Sequence, residues 1–256
     1  MTDNFRLGLI VPSSNVTMET EIPRMLEWRS GVAPETFTFH SSRVRMRRVS
    51  RDELVEMDSD SDRCAVELSD ARCDILAYAC LIAIMAQGKG YHVESEARLA
   101  RVAVENGGPA PVVSSAGALV RGIQALGASK VVLIAPYVTS LTHLVIDYLN
   151  SYGIAVTDAI SLEVPDNLEV AKLDPMRLID MAEDLDRRRA DAVVLSACVQ
   201  MPSLPAIQEA EDRLGLPVLS AATATVYEVL SRLGLRPVVP HAGRLLAGAV
   251  GAKAGM

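Results

Sequence analysis

Arg6-Leu7-Gly8-Leu9-Ile10-Val11-Pro12 returns in the second half of the chain as Lys130-Val131-Val132-Leu133-Ile134-Ala135-Pro136. Two further segments repeat in the same order. Ala71-Arg72-Cys73-Asp74-Ile75-Leu76-Ala77-Tyr78-Ala79-Cys80 matches Arg189-Ala190-Asp191-Ala192-Val193-Val194-Leu195-Ser196-Ala197-Cys198, with one extra residue between aspartate and cysteine in the second copy. Pro111-Val112-Val113-Ser114-Ser115-Ala116 matches Pro217-Val218-Leu219-Ser220-Ala221-Ala222. Each segment holds a continuous apolar run, the pattern of a strand buried on both faces of a parallel sheet. Three matches in one order point to two similar lobes related by a pseudo-two-fold axis. A single long sheet is the alternative.

Working outward from these runs, strands are expected at Arg6–Val11, Thr36–Arg43, Ile75–Tyr78, Val112–Val113, Lys130–Ile134, Ala155–Ser161, Ala192–Leu195 and Val218–Leu219. Helical stretches lie between them. Ser50-Arg51-Asp52-Glu53 reads as a capping box. Asp174-Pro175 reads as an N-cap followed by a proline that needs no amide hydrogen. Leu126-Gly127 and Leu233-Gly234 read as helix ends. The expected fold is α/β, with two pseudo-symmetric lobes, each a mainly parallel sheet flanked by helices, and the active site in the cleft between them. Approximate boundaries are 1–115 with 220–256 for the first lobe and 116–219 for the second.

Composition narrows the function. In 256 residues, 50% are hydrophobic and 22% charged, enough apolar matter for a full core. Net charge is −7, with no extended Lys/Arg run, so no nucleic-acid partner is expected. The five arginines between Arg43 and Arg51 read as a solvated strand-to-helix edge or a subunit contact. No apolar stretch reaches the ~18 residues of a spanning helix, so no membrane partner is expected. Met1–Val11 has neither a basic start nor a cleavage site, and four cysteines are too few for a disulfide scaffold. A cytoplasmic location with free thiols is the expectation. No C-x-x-C or H-x-x-x-H occurs, so zinc is not expected. No strand is followed by G-x-G-x-x-G, so neither is a dinucleotide.

In open α/β sheets, ligands sit beyond the carboxyl ends of the strands. Cys80 and Cys198 fall there, at equivalent places in the two halves, and would face each other across the cleft. Cys64 and Cys73 have no such pairing and read as structural. The other strand-end loops are polar. Ser13, Ser14 and Asn15 follow the first strand and open a helix, a setting that suits a carboxylate. Tyr137 occupies the corresponding loop of the second half, Asn167 can reach the same cleft, and Ser114-Ser115 ends another strand. Helix capping is the alternative role for each Ser and Asn. His40, His92, His143 and His241 read as surface or packing residues.

Gly8-Leu9-Ile10-Val11-Pro12-Ser13-Ser14-Asn15-Val16-Thr17-Met18-Glu19, with Ala79-Cys80 and Ser196-Ala197-Cys198, closely resembles the maleate cis-trans isomerases of the aspartate/glutamate racemase superfamily. The resemblance runs through nearly the whole chain. It implies a cofactor-free conversion of maleate to fumarate, often within nicotinate or nicotine breakdown, and a homo-oligomer, a dimer being expected. It implies that Cys80 and Cys198 are catalytic and that Asn15, Tyr137 and Asn167 bind substrate. Backbone groups near Leu81, Ile82, Val199 and Gln200 would line the carboxylate sites. Arylmalonate decarboxylases of the same superfamily keep only the second cysteine, so Cys80 argues against that activity.

The chemistry fits sulfur. A thiolate that adds to one alkene carbon makes the double bond single; rotation and elimination then give the trans diacid. The family resemblance makes Cys80 the nucleophile of a succinyl-cysteine intermediate and Cys198 the proton carrier. Only the thiolate attacks, so the helix starts are expected to draw the thiol below its usual value of about 8.5. Two other readings stand beside this one: a two-cysteine amino-acid or hydantoin racemase, and a non-catalytic dicarboxylate-binding regulator.

Overall fold

A computed structural model describes residues 3–46 and 51–248. The first sheet contains β1 (Asn4–Pro12), β2 (Thr36–Val44), β3 (Ile75–Tyr78) and β4 (Val112–Ser114), in the order β2-β1-β3-β4. The second contains β5 (Lys130–Ala135), β6 (Ala155–Ser161), β7 (Ala192–Ser196) and β8 (Val218–Ser220), in the order β6-β5-β7-β8. Every strand pair is parallel. The two orders are the same order, so the duplication is a duplication of topology and the single long sheet is set aside.

The repeat extends to individual hydrogen bonds. Asp74 N donates to Arg6 O at 2.8 Å, and Asp191 N donates to Lys130 O at 2.7 Å. Ala79 N donates to Ile10 O at 2.9 Å, and Ala197 N to Ile134 O at 3.0 Å. The extra residue of the second copy is absorbed where it was inserted. The β7–β8 register shifts between Val194 and Ser196, whereas β3 and β4 pair without interruption. That irregularity lets both cysteines leave their strands at matching places.

Ten α-helices occupy the described residues: α1 (Met18–Arg29), α2 (Arg51–Asp70), α3 (Leu81–Met85), α4 (Tyr91–Glu105), α5 (Ser115–Ala125), α6 (Thr139–Asn150), α7 (Asn167–Val170), α8 (Arg177–Asp184), α9 (Leu204–Leu214) and α10 (Ala221–Arg232). Ser114 caps α5 through Gly117 N, and Ser220 caps α10 through Thr223 N, again as a matched pair. These two helices pack together at the junction of the lobes. A Cβ added at Gly122 would stand 3.1 Å from the Ala224 Cβ, so the missing side chain permits the close approach. α10 also lies against α1, β3 and β4.

Leu7, Leu9, Ile10 and Val11 of β1 and Val131 through Ala135 of β5 are fully buried. Each large aliphatic side chain so buried contributes about 1.5–3 kcal/mol. Leu126 and Leu233 are helix C-caps as expected, with Gly127 and Gly234 at positive φ beyond them. The Asp174-Pro175 signal marks a turn instead of the helix itself. Asp174 Oδ1 accepts from Met176 N at 2.9 Å, and α8 begins only at Arg177. Ser50 lies outside the described residues. No helix among them is long and apolar enough to cross a membrane.

Candidate active site

β3 and β7 are interior strands, and each releases its cysteine two residues past its end. Cys80 is the N-cap of α3 with φ 86° and ψ 69°. A side chain in this left-handed region costs roughly 1–2 kcal/mol per residue. The conformation is held by the Cys80 carbonyl, which accepts from Ala83 N at 3.1 Å and Ile84 N at 3.4 Å. The first-turn amides of Leu81 and Ile82 are not consumed by the helix. Both residues are buried, as is Val199 beside Cys198.

Cys80 and Cys198 are both buried, at 7% and 6% exposure, and close enough for their charges to interact. Burial pushes the Cys80 thiol up to about 12; the Ala83 amide opposes this, while charge on Cys198 and Asp58 adds to it. Burial also raises Cys198, against three groups that favour its thiolate: the Tyr137 hydroxyl and the amides of Gln200 and Met201. The expected lowering by helix starts is therefore overturned. α3 has only five residues, and desolvation outweighs what so short a helix start supplies. Tyr137 is 5% exposed, its hydroxyl lies 3.3 Å from the Ala197 carbonyl, and both cysteines act on its ionisation.

The Ser14–Thr17 segment joins these groups from the first lobe. Asn15 Oδ1 accepts from Thr17 N and Met18 N, both at 3.0 Å, and so caps α1. Its Nδ2 donates to no protein group among the described residues. Capping thus uses the oxygen end of the amide and leaves its Nδ2 available. Asn167 Nδ2 donates to Ser14 Oγ at 2.8 Å, linking the two halves. Ser13 is not brought to this cluster. Its hydroxyl donates to Met46 O at 3.2 Å and accepts from Met46 N at 3.0 Å, tying the loop to the chain just past β2. Cys64 lies on α2 and bonds Ser42, and Cys73 packs beside Gly8, so both are structural. His92 is buried against Tyr148 and Tyr152. Among the described residues, no group of three or more His, Cys, Asp or Glu could hold a metal ion.

Four residues take part that the sequence did not single out for these roles. The Gln200 side chain spans the Ser14–Thr17 loop and Asn167. Arg43 bonds the Asn15 carbonyl and reaches Glu19 Oε2 at 2.5 Å. Glu21 of α1 accepts from Ser203 N at 2.6 Å and Leu204 N at 2.7 Å, capping α9 across the cleft. Asp58 accepts from Tyr91 Oη at 2.5 Å and Arg98 Nη2 at 2.9 Å, and its charge reaches Cys80.

A family model described as arylmalonate decarboxylase matches residues 7–246. The chain is 66% identical over 249 residues to a maleate isomerase of Geobacillus stearothermophilus, covering 97% of this chain and 99% of that one. The chain belongs to the maleate isomerase branch of that family. Solved structures of the branch carry the same fold. A maleate isomerase of Pseudomonas putida S16, a cysteine-to-alanine variant with maleate, is 53% identical with a TM-score of 0.96, covering 97% of this chain and 99% of that one. A Nocardia farcinica maleate cis-trans isomerase is 45% identical with a TM-score of 0.91, covering 95% and 98%. It is a cysteine-to-serine variant with a covalently bound succinylcysteine intermediate. In that maleate isomerase, the thiol that carries the adduct and the thiol that was replaced are different residues.

Proposed function

We propose that this chain isomerises maleate to fumarate without a cofactor, by reversible addition of a cysteine thiolate. The observation that carries the reading is the convergence of two buried strand-end thiols on one phenol, Tyr137, whose ionisation both of them influence. The 66% identity to a maleate isomerase supports the substrate.

In the proposed mechanism, the pair of thiols holds one proton when active. The Cys80 thiolate forms a carbon–sulfur bond to one alkene carbon. Cys198 gives its proton to the neighbouring carbon, and the former double bond turns freely. Cys198 then takes the proton back, the carbon–sulfur bond breaks, and fumarate leaves. Atoms and charge balance over the cycle. The assignment of roles follows the asymmetry of the two sulfurs. Cys198 has three donors ready for its thiolate, which suits a group that must hold charge after releasing a proton. Cys80 has one, and a less stabilised thiolate is the stronger nucleophile.

During addition, charge spreads onto the adjacent carboxylate. The free Nδ2 of Asn15 and the first-turn amides of Leu81 and Ile82 are donors suited to it, with Tyr137, Asn167 and Val199 closing the site. Ser14 acts through its bond to Asn167. The lobes bounded at 1–115 with 220–256 and at 116–219 supply one thiol each. A cytoplasmic homodimer is the proposed setting. Four free cysteines support the reducing compartment, and the dimer rests on the family resemblance and is read by sedimentation.

Proton NMR of maleate with the purified chain and no cofactor tests the reading. The fumarate vinyl signal is expected to grow, to vanish with Cys80→Ala, and to be severely slowed by Cys198→Ser. Wild-type rates in both variants contradict the thiol mechanism.

A further inference from the structure

Gln200 is 1% exposed, and every hydrogen-bonding position of its side-chain amide is filled. Oε1 accepts from Val16 N at 2.9 Å and Thr17 N at 3.4 Å. Nε2 donates to Ser14 O at 3.0 Å and Asn167 O at 2.7 Å. An amide has two lone pairs and two N–H bonds, so this one has no capacity left for a ligand. Its backbone N donates to Cys198 Sγ at 3.4 Å. One residue therefore touches the segment on each side of Asn15, the backbone of Asn167, and the second thiol.

We propose that Gln200 is a positioning residue for the isomerisation: its side chain locks the Ser14–Thr17 loop to Asn167, and so fixes the two asparagine donors relative to Cys198. This inference rests on the proposed function. Asn15 Nδ2 is borne by the loop after β1 and Asn167 Nδ2 by the first residue of α7, from opposite lobes, and among the described residues the direct side-chain link between these two segments is the bond from Asn167 to Ser14 Oγ. That bond leaves the two segments free to pivot, whereas four bonds through a planar amide do not. Catalytic donors must hold their place to a fraction of an ångström, and a displacement of about 1 Å costs on the order of 100-fold in rate.

Steady-state maleate turnover by wild type, Gln200→Met, Asn15→Ala and the double variant tests this, with thermal melting of each. Gln200→Met keeps the length of the side chain and removes all four bonds. It is expected to lower kcat roughly 100-fold, with KM changed less than kcat. Gln200 acts through both asparagines and Asn15→Ala removes one of them, so the loss in the double variant is expected to fall short of the product of the two single losses. A merely structural role lowers the melting temperature but leaves kcat of the folded protein near wild type. That result overturns the inference, as does a double variant whose losses multiply. Should Gln200→Met not fold, Gln200→Asn, which keeps an amide one methylene too short to span the loop and the start of α7, carries the same comparison and the same expectations. A wild-type chain that leaves maleate unchanged defeats the proposed function itself. Wild-type turnover matched by Gln200→Met defeats only this inference.

Discussion

The buried Tyr137 hydroxyl favours the Cys198 thiolate and lies 3.3 Å from the carbonyl of Ala197, the residue before that cysteine. The phenol itself is held well above its usual ionisation range by burial, so it stays a donor throughout the working range. Tyr137→Phe leaves the shape and removes the donor. Steady-state kinetics are expected to show kcat/KM lowered by roughly 10–1000-fold with little change in melting temperature. Unchanged kcat/KM contradicts the role.

Asn15 has two jobs that substitution can separate. Asn15→Ala removes both the cap of α1 and the free donor, costing about 1 kcal/mol of stability as well as activity. Asn15→Asp keeps an oxygen for Thr17 N and Met18 N, loses the Nδ2 donor, and sets a negative charge against a dianion. It is expected to melt near wild type yet lose more kcat/KM than Asn15→Ala. An active Asn15→Asp removes the residue from the binding site.

The thiols set the pH dependence. Both are raised, Cys80 to about 12, so at neutral pH the pair is mostly fully protonated, and the attacking form is the one that has lost a proton. The active fraction grows as pH rises toward the first ionisation of the pair, which belongs to both sulfurs together. Between about pH 7 and pH 9, kcat/KM for maleate is expected to climb by up to about tenfold per pH unit. A flat or falling profile contradicts this.

Asp74 and Asp191 test the duplication energetically. Asp74 Oδ2 accepts from Arg6 N at 2.6 Å; Asp191 Oδ2 accepts from Ser129 N and Lys130 N, both at 2.8 Å, and from Ser129 Oγ at 3.2 Å. Chemical denaturation is expected to find both alanine variants destabilised by about 1 kcal/mol, Asp191→Ala the more. The Asp191 carboxyl is held low by the Ser129 and Lys130 amides, so its contribution is present above the usual aspartate range near pH 4 and lost as pH falls through the lowered value. A greater loss for Asp74→Ala contradicts the ranking.

Much of this was legible in the sequence because β1, β3, β4, β5, β7 and β8 are largely buried and read as apolar runs, while the edge strands β2 and β6 are more exposed and more polar. All eight appear within two residues of their expected ends, from Asn4–Pro12 to Val218–Ser220. The cysteines were legible because the duplication made them a pair. The side-chain clamps were not. Gln200 meets Val16 across 184 residues of chain, a contact no local pattern announces. Arg43 stood in a run that read as a solvated edge or a subunit contact, yet it grips the Asn15 carbonyl. Ser13 looked like part of an anion site but spends its hydroxyl on Met46. The direction of the thiol shifts was misread because the helix start is visible in sequence and the depth of burial is not.

The most direct test of the covalent account is peptide mass spectrometry of Cys198→Ser after incubation with maleate. The account predicts that Cys80, separated from Cys73 by cleavage after Tyr78, gains the mass of one maleic acid, while Cys64 and Cys73 do not. An unmodified Cys80, with the adduct elsewhere or absent while turnover continues, contradicts it.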